Sequence, residues 1–505
     1  MIKRKIVNLE ELKKICKEKK EAGKKIVHCH GCFDLLHPGH IRHFKVAKNY
    51  GDILVVTVTP DRFVKKGPGR PVFNEHLRLE SLASLEVVDF VTLNKWDNVV
   101  ETIKLLQPDY YVTGREYSDQ LDDIEDNILI EETIKKVGGE IIFTDEMKFS
   151  SSKLINKHFS IFSQDAKEYI ERLKEVFNSA KIIDILKNLR DLKVLVIGDA
   201  IIDEYIFCKA MGKPEKASVV STKYLYKETY AGGSLVVANH VAGFTNKVEL
   251  ITCLGKKDNK QDFIKKNLKS NINPRFFYRE DAPTIVKRRY LEEWNKAKLF
   301  EVSEINDDFI DKDIESEIIE YLAKVAPTVD MVLIADFGHG CITSNLQKEI
   351  INKASFCAVN AQTNSANYGF NLITKYKNVD YISIDEKELR LPYQERFGSI
   401  EPLIKKLSKD TLCEKINITL GVSGSVYYQD KKKYFVPAFS DTIVDTVGAG
   451  DAVLSITSLL AKKDVDPRLI PFIGNAAGAL AVKVMGNKES LNPIDLFNFI
   501  RYMMK

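Results

Sequence analysis

Short apolar runs of strand length alternate with longer amphipathic stretches along most of the chain. Between residues 24 and 145 the runs KIVHCHG, DILVVTVT, DFVTLN, DYYVTG and EIIFTD predict five strands. Among them, EHLRLESLASLE and NVVETIKLLQ predict helices. This alternation predicts an α/β domain, a parallel sheet with helices on its faces. The pattern then breaks. Residues 164 to 190 contain neither Gly nor Pro, and Ile170, Leu173, Phe177 and Ala180 fall on one face at helical spacing. One or two helices joining two domains are expected there, packed on a neighbouring domain or, alternatively, forming a dimerising stripe. A second α/β pattern begins at Lys193 with KVLVIGD and runs through VELITCLG, MVLIADFG, CAVNAQ, YISID and INITLG. Within it, SVVSTKYLYKETY and TIVKRRYLEEW alternate at a two-residue period, which predicts a small β-lid beside the main sheet. The expected organisation is a domain over 1–160, a helical linker over 161–191 and a second domain over 192–505.

Length supports that division, because 505 residues exceed what one ordinary core accommodates. The composition, 44% hydrophobic and 29% charged, is that of a soluble globular protein. A formal charge of +4 asks for neither nucleic acid nor a membrane surface. No apolar run approaches the ~20 residues that span a bilayer. The eight cysteines are scattered apart from Cys29 and Cys32, and the charged N-terminal stretch has no secretory apolar region. A cytoplasmic, reducing environment is the expectation.

The densest chemistry lies in residues 26 to 40, IVHCHGCFDLLHPGH, which hold four of the nine histidines. Three readings compete. Zinc needs four ligands, usually as two separated pairs, and a second Cys-x-x-Cys is missing. A redox Cys-x-x-Cys normally opens a helix, whereas Cys29 falls inside the first predicted strand. The third reading places His37 and His40 at a helix start opened by Pro38 and Gly39, where free N–H groups and the helix dipole favour a phosphate.

GCFDLLHPGH, with Gly31, Phe33, Asp34, His37 and His40, resembles the GxFDxxHxGH signature of the cytidylyltransferase-like nucleotidyltransferases. Three further stretches agree in order: Lys65 and Lys66 after the second strand, Arg78 in RPVFNEHLRLESLASLEVVD, and Ser150, Ser151 and Ser152 in FSSSKLIN. The resemblance implies a Rossmann-like domain in which a phosphate attacks the α-phosphorus of a nucleoside triphosphate and expels pyrophosphate. His37, His40, Lys65 or Lys66, and Arg78 would neutralise the charge, usually with Mg2+, and the serines would bind phosphates. Asp34 would order the loop or approach metal or substrate. The arginine that some cytidylyltransferases carry before the hydroxyl segment is absent, Lys148 being the nearest cation, so the base stays open between CTP and ATP.

VDTVGAGDAVLS, residues 444 to 455, places small residues Gly448, Ala449 and Gly450 where backbone N–H groups close on an anion, and Asp451 where it can take a hydroxyl proton. It resembles the ribokinase (PfkB) carbohydrate kinases, in which this aspartate is the base. GDAIIDEY, with Asp199 and Asp203, and AGGSLVVANHVAGF, with Gly232, Gly233 and Asn239, resemble the sugar-side motifs. ITLGVSGSVYY, with Gly421 and Gly424, and IGNAAGALAV, with Asn475, resemble the ATP side. The family's N-x-x-E appears as Asp385 to Glu388, and Glu388 would act on Mg2+ through a water. VNAQTN, with Asn360 and Gln362, and DFGHG, with His339, suggest a neutral, amide-rich pocket that recognises hydroxyls rather than a second phosphate.

Together the halves resemble bifunctional heptose-phosphate kinase/nucleotidyltransferases with the domain order inverted. The resemblance implies ATP-dependent phosphorylation of a sugar or sugar phosphate, then nucleotidyl transfer to give a nucleotide sugar for surface polysaccharide. Two alternatives stand beside it. One is a glycerol- or alditol-type cytidylyltransferase with an independent kinase; the other is a degenerate kinase acting as sensor or scaffold. A homodimer through lid regions 213–230 and 284–302 is expected.

Overall fold

The computed structural model describes residues 4–64, 70–114, 124–144, 162–212, 220–440 and 443–505, with side chains from 128 onward in the helix that begins at 124. Lys65, Lys66, Lys148, Ser150, Ser151 and Ser152 lie outside the described residues. The chain divides into two compact units, Met1–Ile161 and Phe162–Lys505.

In the first unit all five predicted strands are present: β1 (Ile26–Gly31), β2 (Ile53–Val58), β3 (Phe90–Leu93), β4 (Tyr110–Gly114) and β5 (Glu140–Thr144). They pair in parallel in the order β3-β2-β1-β4-β5. Strand order reverses at β1, so the crevice beyond its carboxyl end is the natural ligand position of an open α/β sheet. GCFDLLHPGH leaves β1 at that point.

The second unit contains β6 (Lys193–Gly198), β7 (Ala200–Gly212), β8 (Ser221–Gly233), β9 (Lys247–Gly255), β10 (Ile272–Arg279), β11 (Ile285–Glu292) and β12 (Lys298–Glu304). It continues with β13 (Met331–Asp336), β14 (Cys357–Ala361), β15 (Tyr381–Asp385), β16 (Lys415–Thr419), β17 (Ser425–Gln429) and β18 (Lys432–Val436). Nine of these form a sheet in the order β10-β9-β6-β13-β14-β15-β16-β17-β18. The central run MVLIAD of β13 is buried throughout, as a strand covered on both faces must be. Met331, Leu333 and Ala335 face one helical layer, and Val332 and Ile334 face the other. The remaining four strands make the lid, in the order β12-β11-β7-β8.

The stretch expected to link the domains folds as two helices, Gln164–Lys174 and Ser179–Lys187. Ala166, Ile170, Leu173, Phe177, Ile182 and Leu186 are buried in the second unit's own core. The helical face is thus consumed within that unit, with Ala180 the exception, exposed and outside the cluster.

Candidate functional sites

In the first unit, His28 and His30 point from one face of β1 and both meet the Thr57 hydroxyl, each at 2.8 Å. Burial holds both imidazoles below their ordinary range, at about 3 and about 4. Cys29, on the opposite face, is fully buried and its thiol is pushed up by desolvation. Four of the opening residues are therefore strand and core furniture rather than ligands, Cys32 being buried at the strand exit. Phe33 adopts a φ of 47°, which turns its ring back over Gly31. A Cβ at Gly31 would lie 3.0 Å from that ring. The ring then packs edge-on to His40, at 5.4 Å, and against Phe44.

His37 caps the Pro38–Lys48 helix: its Nδ1 accepts from Gly39 N–H at 3.1 Å. The His37 and His40 rings stack with centroids 3.9 Å apart. Two imidazoles and a helix start therefore share one corner at the sheet's switch point, with the Gly39, His40 and Ile41 N–H groups turned back onto His37.

Asp34 orders the loop. Its Oδ1 accepts from Phe73 N–H at 3.0 Å and its Oδ2 from Arg70 Nε at 2.5 Å, and the two side chains of the ion pair are sealed from solvent. The two terminal nitrogens of Arg70 are buried and have no hydrogen-bond partner among the described residues. Sequence reasoning passed over this residue, although it opens the RPVFNEH stretch singled out for Arg78. Arg78, expected at a phosphate, is buried and donates to Cys32 O at 2.6 Å, Phe73 O at 3.0 Å and Asp61 Oδ1 at 2.5 Å. It ties the loop after β1 to the loop after β2.

The second unit builds its centre around the Ala449–Lys462 helix. Gly448 precedes it with φ of 82°, and a Cβ there would run into Asn487 Oδ1. Ala449 and Gly450 form its first turn, and Asp451 follows, buried. Gln362 Nε2 donates to Asp451 Oδ1 at 2.8 Å. Burial, reinforced by the nearby Asp203 carboxylate, pushes the Asp451 carboxyl up to about 7. Asp203, on β7, is held by Arg289 Nη1 at 2.5 Å and Asn487 Nδ2 at 3.0 Å. Gly232 is required beside it, since a Cβ would collide with Asp203 Oδ2.

Other expected sugar ligands have different partners. Asp199 accepts from the backbone N–H groups of Phe337 (3.0 Å), His339 (3.3 Å) and Cys341 (3.1 Å), so both its oxygens fasten the loop after β13. Gly233, with φ of 60°, lets that turn close against Asp199 O. Asn239 is likewise engaged, donating to Asn267 O at 2.9 Å and accepting from Lys269 N–H at 3.0 Å. On the expected nucleotide side, Gly421 and Gly424 both have positive φ, and Asn475 donates to Val436 O and Pro437 O at 2.9 and 3.1 Å.

Asp385 and Glu388 form a reciprocal helix cap, with the Glu388 carboxylate accepting from Asp385 N–H at 2.9 Å and from Thr363 N–H at 2.8 Å. The aspartate thus fills a capping role open equally to asparagine. Burial, then Asp385, raises the Glu388 carboxyl to about 8.

Charged side chains join the amides expected from VNAQTN and DFGHG, Arg289 as an ion pair with both Asp203 (2.5 Å) and Glu301 (2.9 Å). Lys287 and Arg289 enter from lid strand β11, two residues apart and hence on one face. Burial holds the Lys287 ammonium below its usual value, and Glu301 and Asp203 oppose that fall. The amides have a different task. Asn364 and Asn367 donate to Phe337 O, each at 2.8 Å, and Asn371 donates to Asp336 O at 3.1 Å. They pin the loop after β13, while His339 Nδ1 pairs with Asp307 at 2.7 Å. The β11 alternation in TIVKRRY was the signal available for the two cations.

Residues 191–494 match the pfkB family carbohydrate kinases, and residues 28–157 match the cytidylyltransferase-like family. Among curated proteins, the bifunctional protein HldE of Sulfurimonas denitrificans is 39% identical over 150 residues, 27% of this chain and 31% of that protein. The HldE of Nitratiruptor sp. is 43% identical over 114 residues, 22% of this chain and 25% of its own length. The chain thus spans about a third or less of these relatives' length. Phosphofructokinase-2 from Escherichia coli, solved with fructose-6-phosphate, shares the fold at 12% identity, with a TM-score of 0.51 over 62% of this chain and 100% of that one. With the glycine-started helix, its buried aspartate and the match over residues 191–494, this chain belongs to the pfkB family of carbohydrate kinases and carries a cytidylyltransferase-like domain ahead of the kinase domain.

Proposed function

We propose that the chain is a bifunctional enzyme of nucleotide-sugar synthesis: its second unit phosphorylates a sugar phosphate from ATP, and its first unit joins the resulting phosphate to a nucleotide with release of pyrophosphate. The observation that carries this reading is one chain with two helix starts, one bearing stacked His37 and His40 and the other the buried Asp451. In the kinase, Asp451 would take the acceptor hydroxyl's proton while the Gly448–Gly450 turn faces the transferred phosphoryl group. Lys287, near Asp451, favours an acceptor that already carries a phosphate, while Arg289 is paired with Asp203 and Glu301. Glu388 and Asp385 supply hard oxygen donors suited to Mg2+, and a cation beside them would offset the burial that raises the Glu388 carboxyl to about 8. Mg2+ would neutralise charge on the phosphates. In the transferase, the acceptor phosphate is already anionic, so positioning and charge neutralisation by His37 and His40 suffice, with Lys65, Lys66 and Ser150 to Ser152 as further phosphate ligands. Arg70, Asp34 and Arg78 would hold the loops that frame this site.

The test is a panel of ATP, CTP and GTP against free sugars, hexose phosphates and heptose 7-phosphate, followed by phosphorus NMR. A new phosphoester and then a diphosphate linkage are expected. No phosphorylation and no pyrophosphate release across the panel would overturn the proposal. Kinase kcat/KM should also rise with pH through an acid limb near 7, because only ionised Asp451 accepts a proton and its carboxyl sits at about 7. A limb near 4 would show a carboxyl less perturbed by burial than this site implies.

A homodimer through the lid belongs to the same proposal. All seven residues of β12 are exposed, and Tyr224, Phe300 and Val302 leave an apolar surface on one face of a four-stranded sheet. Tyr224→Glu with Phe300→Glu should convert a dimer to monomer in sedimentation; a parent that sediments as monomer refutes it. The eight cysteines are free thiols, in keeping with a reducing cytoplasm.

A further inference from the structure

We infer that Gln362 is a positioning residue for phosphoryl transfer: its carboxamide aims the Asp451 carboxylate at the acceptor hydroxyl, and its neutrality sets the pH range in which that base works. The inference rests on the reading of Asp451 as base. Gln362 Nε2 donates to Asp451 Oδ1 at 2.8 Å, and no other side-chain or backbone group hydrogen-bonds the Asp451 carboxylate among the described residues. One oxygen is thereby fixed and the other left for the substrate.

The donor is itself rigidly placed. Gln362 follows β14 directly, its N–H donates to Asp336 O at 2.8 Å, and its carbonyl accepts from Asn371 Nδ2 at 3.1 Å. Asp336 is held in turn by Tyr376 Oη at 2.6 Å, Lys375 Nζ at 2.5 Å and Gly338 N–H at 2.9 Å. The next residue, Thr363, donates its N–H to Glu388 at 2.8 Å. Consecutive residues therefore hold the base and the carboxylate suited to Mg2+, so the spacing between those two groups is set by one short stretch of backbone. This gives the amide-rich VNAQTN segment a positioning task that its composition does not reveal.

Charge at this position decides how the base titrates. The charged groups around Asp451 are Asp203 from β7, Lys287 from β11 and Glu388 from the Glu386–Arg390 helix. A neutral amide adds a hydrogen bond to the ionised form without adding a charge. A glutamate of the same shape would add a like charge, and a lysine an opposite one.

The experiment uses full-length protein with Mg2+-ATP and heptose 7-phosphate, and measures kcat and KM across pH for Gln362→Glu, Gln362→Lys, Gln362→Met and Asp451→Asn. The acid limb of kcat should move up by roughly one pH unit or more in Gln362→Glu and down by a similar amount in Gln362→Lys. Gln362→Met should lower kcat roughly tenfold or more with KM little changed, the loss expected for a hydrogen bond to a charged group. A merely structural role would not shift the limb in opposite directions. Gln362→Glu is isosteric, so it keeps the inference testable should another variant fail to fold. Limbs that coincide with the parent's, with kcat within twofold, overturn the inference while Asp451→Asn stays inactive. Phosphorylation that survives Asp451→Asn overturns the reading of the base instead.

Discussion

Asp451→Asn is expected to lower sugar phosphorylation by roughly 10²- to 10⁴-fold, the usual worth of a positioned general base, and to leave nucleotidyl transfer within twofold. The asparagine keeps the volume and can still accept from Gln362 Nε2, so the fold and the geometry of the helix start are retained. What is lost is the proton acceptor. The carboxyl is buried beside Asp203 and is held near 7, which suits a base that must be ionised yet still able to bind a proton. Radiolabel transfer from γ-labelled ATP, with pyrophosphate release from a presupplied sugar 1-phosphate measured in parallel, reads both activities on one preparation. A sensor built on a retired kinase would show no phosphorylation in the parent either. Loss of both activities in the variant would indicate that the two steps are not separable in this chain.

The complementary result belongs to the first unit. His37→Asn and His40→Gln should each reduce nucleotidyl transfer by roughly 10²- to 10³-fold, the range seen when one preorganised donor to a developing charge is removed, with phosphorylation unchanged. The choice of substituents matters. His37 accepts from Gly39 N–H as the helix cap, and asparagine is a strong capping residue, so His37→Asn keeps that bond while removing the imidazole. His37→Ala would mix two effects, since losing a cap alone costs about 1 kcal/mol. A thermal midpoint for His37→Asn close to the parent's, together with lost transfer, separates chemistry from folding. Transfer within threefold of the parent in both variants would show that the stacked pair is structural.

Part of this molecule could be read from residue order. The five strands of the first unit and the six apolar runs from KVLVIGD to INITLG appear where the pattern placed them, because a strand buried on both faces must be apolar along its length. The two helix starts were legible for a similar reason: H-P-G-H and G-A-G-D are local, and the backbone they require is specified by adjacent small or capping residues.

What tertiary structure decided was the employment of each polar side chain. Asp199 and Asp203 look equivalent in GDAIIDEY, yet one binds three backbone N–H groups of a loop over 130 residues away and the other faces Arg289 and the base. Arg78 reads as a free cation until Cys32, Phe73 and Asp61 are seen around it. Lys287 and Arg289 come to face Asp203 only because β11 lies beside β7, a pairing that no local pattern records. Periodicity reports which faces are apolar, and so by itself it placed the five strands of the first unit and the six central strands of the second, while local motifs marked the two helix starts. A hydrogen bond or ion pair depends on which distant partner arrives, and only the folded chain brings that partner within reach.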